Sequence, residues 1–174
     1  MKNQNIQFKP TAGLMIPLLL IFSMVMLTLI PAPAIAADQV AFTASFATEF
    51  TSKFVPPFYL CVSITGEGHA SHMGRSSAIT TDQRINLEDG TGTATYILMG
   101  VNGDTVVVAI TAQDTNIPGG VAFVGDYTVI GGTGRFDEAT GSGSMEGSAL
   151  FSGPTSGVGS FTLAGTISSP GNGH

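Results

Sequence analysis

Val40-Ala41-Phe42-Thr43-Ala44-Ser45-Phe46-Ala47-Thr48-Glu49-Phe50-Thr51-Ser52-Lys53-Phe54 decides the fold class. Phenylalanine recurs at every fourth residue from Phe42, a spacing shared by one stripe of a helix and one face of a strand. The residues between separate the two. Even positions read Val, Phe, Ala, Phe, Thr, Phe, Ser, Phe, and odd positions read Ala, Thr, Ser, Ala, Glu, Thr, Lys. That is an alternation of period two, with threonines that suit a pleated surface. The stretch is a long strand.

The rest of the chain follows the same pattern. Pro56-Pro57 ends the first strand, Phe58 to Thr65 alternates again, and residues 68–80 and 83–88 read as less regular strand. Asn102-Gly103 joins Thr93–Val101 to Asp104–Ala112. Asn-Gly between apolar runs predicts a hairpin with a type I′ turn, whose two central residues need positive φ. Val121–Gly131, Ala139–Phe151 and Val158–Ile167 bring the count near eight, and Arg135–Ala139 has room for one helical turn. The expected class is all-β, a closed antiparallel barrel or a sandwich. The barrel is preferred, because closure removes the sheet edges that otherwise aggregate.

Ahead of the strands lies an address. Lys2 and Lys9 precede an apolar run from Leu14 to Ile30, followed by Pro31-Ala32-Pro33 and the small residues Ala34-Ile35-Ala36-Ala37. A positive start, an apolar centre and an A-x-A site describe a secretory signal peptide over residues 1–36, helical while intact and cleaved near Ala36. An uncleaved anchor is the alternative, since the run is at the short end of a membrane span. The mature domain, residues 37–174, is thus expected to be secreted or periplasmic.

That domain carries 4 basic and 12 acidic groups, a net charge of −8. So acidic and lysine-poor a body gains little from counterion release at phosphates, which argues against a nucleic-acid partner. Cys61 is the sole cysteine, so no intramolecular disulfide forms and stability rests on the core. At roughly 138 residues, folding buries about two-thirds of the unfolded surface. Cys61, between Leu60 and Val62, reads as a small buried apolar residue, with an intermolecular disulfide or reactive thiol as the alternative. Composition indicates a class and an address but no reaction.

The segment Ile130-Gly131-Gly132-Thr133-Gly134-Arg135-Phe136-Asp137-Glu138-Ala139-Thr140-Gly141 combines a glycine-built turn with Phe136 and Ala139, placed to plug the space beneath it. On this G-G-T-G-x-F-x-x-A-x-G pattern the chain resembles the allene oxide cyclase/dirigent-like barrel superfamily. It is most similar to uncharacterised bacterial secreted members. Those also show the stretch matched here by Gly66, Gly68, Ser71, His72 and Gly74, and the turn matched by Asn102, Gly103 and Asp104. The resemblance implies an eight-stranded barrel with an apolar cavity, a homo-oligomer (a trimer in plant members), and either cyclisation of a fatty-acid epoxide or steering of phenolic radical coupling. No catalytic residue of those relatives maps onto this chain by a motif.

Strand parity supplies the site candidates. Tyr59, Cys61, Ser63, Thr65, Glu67 and His69 share one strand face, and Tyr96 and Tyr127 sit in mid-strand elsewhere. If that face points inward, the ligand pocket holds Tyr59, Glu67, His69, Tyr96 and Tyr127, with Glu67 the first acid or base to test. If Leu60, Val62 and Ile64 point inward instead, Glu67 and His69 are solvated. His69 and His72, three apart on a strand, point to opposite faces and share no metal ion. Gly131-Gly132-Thr133-Gly134 lacks the helix and lysine of a phosphate loop. No cofactor or metal is implied. Three functions fit: a barrel holding a small hydrophobic ligand, an isomerase or cyclase of the same shape, or a structural protein whose barrel is filled by its own side chains. Val106, Val108 and Ile110 on one face and Val107 and Ala109 on the other leave open whether a second copy covers part of the outside.

Overall fold

The computed structural model describes residues 38–168, 170 and 171. The leader expected over residues 1–36 lies outside the described residues. Nine strands follow one another: β1 Gln39–Val55, β2 Tyr59–Ala70, β3 Gly74–Thr80, β4 Gln83–Asn86, β5 Thr91–Gly100, β6 Thr105–Ile117, β7 Gly120–Thr133, β8 Gly141–Gly153 and β9 Ser156–Ser168. All pairings are antiparallel, and β1 pairs with both β2 and β9, so the sheet closes. β3 and β4 occupy one position. Each pairs with β2 on one side and β5 on the other, split by a bend at Thr81-Asp82. The nine strands therefore make an eight-position up-and-down barrel.

Parity assigns the inner face. Phe42, Ala44, Phe46, Thr48 and Phe50 of β1 are buried while their odd neighbours are exposed. Ala94, Tyr96 and Leu98 of β5, Val106, Val108 and Ile110 of β6, and Phe161, Leu163 and Ile167 of β9 point the same way. Inward glycines make room for neighbouring rings. A Cβ on Gly143 would lie 2.7 Å from the Tyr127 ring, one on Gly165 2.8 Å from its hydroxyl, and one on Gly157 2.6 Å from the Phe50 ring. Large rings on one strand thus use the space that glycine leaves on the next, which keeps the interior at side-chain density.

One end of the barrel is sealed. The short 3₁₀ turn Gly134–Phe136 follows β7, and Phe136 and Ala139 are buried beneath the end of the barrel with Met73. Gly131 (φ 140°) and Gly134 (φ 64°) take backbone conformations that a side chain disfavours, so the glycine-rich segment is a structural corner. Arg135 clamps it: Nε donates to Asp104 Oδ2 at 3.0 Å and Nη2 to the His72 carbonyl at 2.9 Å. The bond from Arg135, with a second from Asn102 Nδ2, holds the Asp104 carboxyl below the ordinary carboxylate range. The hairpin between β5 and β6 is present, but its turn differs from the type I′ expectation. The Gly103 amide bonds the Gly100 carbonyl at 2.9 Å, so Val101 and Asn102 are central, and Gly103 alone has positive φ (87°). Gly103 acts as a left-handed bulge after an ordinary turn.

Candidate functional site

The barrel's two halves are packed differently. An aromatic layer crosses the middle: Phe46 stacks on Phe161 with centroids 5.1 Å apart, and Tyr96 tilts against Phe161 at 5.0 Å. On the sealed side, Phe42, Tyr127, Val129, Leu163 and Ile167 fill the lumen. On the other side the inward positions include Gly92, Ala94, Ala112 and Ala149, whose small side chains leave a cavity of about 220 Å³. An eight-strand barrel is only just wide enough for its side chains to fill. Glycine and alanine on β5, β6 and β8, where no neighbouring ring takes up the space, therefore leave a hollow. Tyr96 and Phe161 form its floor, and Leu60, Val62, Ile85, Val121, Phe123 and Phe151 contribute to its walls.

Few polar groups interrupt this lining. Tyr96 Oη donates to Gln83 Oε1 at 3.4 Å. Thr48, Asn116 and Ser148 also line the space, and among the described residues Asp114 of β6 is the only charged one that does. Burial pushes the Asp114 carboxyl up to about 6. Burial first, and the Asp114 charge second, push the Tyr96 phenol well above its ordinary value. Asp114 therefore titrates near neutrality while Tyr96 stays a hydrogen-bond donor. Such a site can take an apolar body, accept one strong hydrogen bond and exchange one proton.

No family model and no curated protein matches the chain. Among solved structures, it is similar to the pterocarpan synthase dirigent protein, at 15% identity over 79% of this chain and 90% of that one, with a TM-score of 0.49. The functional reading therefore rests on this chain's own residues.

The five pocket candidates do not come together. β2 turns its even face inward, so Tyr59, Glu67 and His69 lie outside, exposed. The register forces this: a Cβ on Gly68 would meet the Ser45 carbonyl, and one on Gly66 would lie 2.7 Å from the Thr48 side chain. Tyr59 packs on Phe58 at the outer rim, and Glu67 borders a shallow outer groove with Glu49. Tyr96 is in the cavity floor. Tyr127 faces inward in the filled half, 1% exposed, its hydroxyl without a partner among the described residues. Cys61 is a free thiol, half-buried on the outer face between Lys53 and Arg84 in the ladder, rather than a core residue. Parity reasoning missed Asp114, although a signal for it existed: Val106, Val108 and Ile110 continue in register to Ala112 and Asp114.

Proposed function

We propose that the mature protein is an exported member of the allene oxide cyclase/dirigent-like barrels that holds a small hydrophobic molecule in its lumen. The observation that carries this reading is the cavity of about 220 Å³, walled mainly by aliphatic and aromatic side chains. Concave, mostly apolar spaces with a few placed polar groups are where small ligands bind. Titration with an environment-sensitive apolar fluorophore tests it. Saturable binding is expected in the wild type, with loss in Ala112→Trp, which fills the hollow. An Ala112→Trp protein that stays folded and binds equally well overturns the reading. The chain has no native tryptophan, so the new indole also reports whether the lumen is dry.

Catalysis is the second reading, favoured by one observation: a carboxyl with its pKa raised to about 6 beside a phenol in the same apolar space. The version built on Glu67 places its acid on the outside, so Asp114 replaces it as the first residue to mutate. Self-association is a separate proposal. Ile79, Ile97 and Val107 form one cross-strand apolar row on the outer face, the kind of surface a second copy covers. Light scattering reads the mass, and Ile97→Glu is expected to reduce an oligomer to monomer.

A further inference from the structure

The proposed lumen site contains one unmet electrostatic demand. Among the described residues, Asp114 is the only charged one lining the space, and none of them brings a cation to it. Among the described residues, Arg135 is paired with Asp104, while Lys53, Arg75 and Arg84 are exposed on the outer face. No side chain among the described residues donates a hydrogen bond to its carboxylate; its backbone amide is used, bonding the Gly90 carbonyl at 2.9 Å. A carboxylate drawn out of water without a counter-ion is costly, and the cost falls when an opposite charge arrives.

The rest of the lining suits such a charge. Phe50, Tyr96, Phe123, Phe151 and Phe161 all border the same space as Asp114. Ring faces attract cations, and aromatic cages are a recurring device for ammonium groups. A neutral ligand would gain only from the apolar walls and would desolvate Asp114 further. A ligand with a positive head would gain from the walls, the rings and the carboxylate together. The hollow equals roughly seven waters' share of liquid volume, which limits the guest to a small molecule.

We propose that the cavity takes a small apolar molecule bearing a protonated amine, its ammonium group seated against the Asp114 carboxylate. This rests on the lumen-binding reading above and adds the chemical class of the guest. The titratable groups facing Asp114 are few. Tyr96 faces it from β5, Gln83 of β4 and Phe123 of β7 are not titratable, and the turn that bonds its backbone carries Glu88 and Asp89, both exposed. Between pH 4.5 and 8, Tyr96 stays protonated and Asp114 alone among the lining residues changes charge.

The test is a matched pair, 3-phenylpropylamine and 3-phenylpropan-1-ol, titrated calorimetrically into the full protein at pH 4.5 and pH 8. The amine is a cation at both values. Its affinity is expected to fall about tenfold on acidification, as Asp114 is neutralised, while the alcohol holds or tightens. Asp114→Asn is expected to weaken the amine about tenfold at pH 8 and leave the alcohol equal or tighter, with the variant's fold checked by circular dichroism. Tighter amine binding at pH 4.5 than at pH 8, or an amine no better than the alcohol at pH 8, overturns the amine proposal and leaves lumen binding standing. Failure of both compounds to bind overturns the lumen reading itself. Because the pH comparison uses only the wild type, the proposal can be refuted even if the variant misfolds.

Discussion

Asp114→Asn is expected to make the empty protein more stable at neutral pH, and to do so only there. Burial lifts the Asp114 carboxyl from 3.8 to about 6. Between those values the native chain keeps a proton that the unfolded chain has released, so stability falls as pH rises through the window and is level above it. Roughly two pKa units correspond to about 3 kcal/mol at face value. The side chain is only half-buried, however, so solvent screening reduces this to about 1 kcal/mol. Asparagine has nearly the same shape and no charge. It should gain about 1 kcal/mol at pH 7.5, roughly 3 °C in Tm for a domain of this length, and nothing at pH 3.5. Scanning calorimetry of both proteins across this range supplies the comparison. A variant no more stable than the wild type at pH 7.5, or a gain of the same size at pH 3.5, would refute the reasoning.

Other outcomes follow from the same packing. Tyr127→Phe removes a buried hydroxyl that has no partner and should be neutral or stabilising by up to about 1 kcal/mol in chemical denaturation; a loss above that means the hydroxyl has a partner in solution. Gly165→Ala puts a methyl 2.6 Å from the Gly143 Cα and 2.8 Å from the Tyr127 hydroxyl. It should cost about 1–3 kcal/mol through overpacking, and adding Tyr127→Phe should restore only part, because the backbone contact remains. Glu67→Gln, outside the barrel, should leave the affinity for an apolar fluorophore within about twofold; a larger loss would place Glu67 in the binding path.

Much of the fold was legible because burial on a strand obeys period two. The Phe42–Phe50 stretch showed its inner face directly, Phe54 being exposed beyond it, and β1 extends only one residue beyond the expected bounds at each end. The corner at Gly131–Gly134 and its plug of Phe136 and Ala139 were also visible, since Gly131 and Gly134 take backbone conformations that side chains disfavour and the apolar pair has one place to go. The β2 face was ambiguous for a physical reason. Its Leu60, Val62 and Ile64 alternate with Cys61, Ser63 and Thr65, which are small enough to fit either side, and the deciding glycines, Gly66 and Gly68, act only through contact with β1. The cavity was harder still to foresee. It depends on which inward glycines and alanines lack a ring beside them, and that is fixed by register across four strands. The turn at Asn102-Gly103 shows the same limit locally: the pair announced a hairpin, while strand alignment decided which residues became central.

Because β1 is hydrogen-bonded to both β2 and β9, the ring has a seam between the first and the last of the described strands. Phe46 meets Phe161 across that seam, about 115 residues later, and bringing such distant segments together carries a loop-closure cost. Until β9 arrives, a seventeen-residue ribbon with one greasy side has a free flank, and so does β8. A nascent or C-terminally shortened chain therefore presents two unpaired borders, on β1 and on β8, each open to a strand from a neighbouring molecule. Addition of the thirteen-residue β9 is what converts a self-adhesive sheet into a closed ring of the described strands.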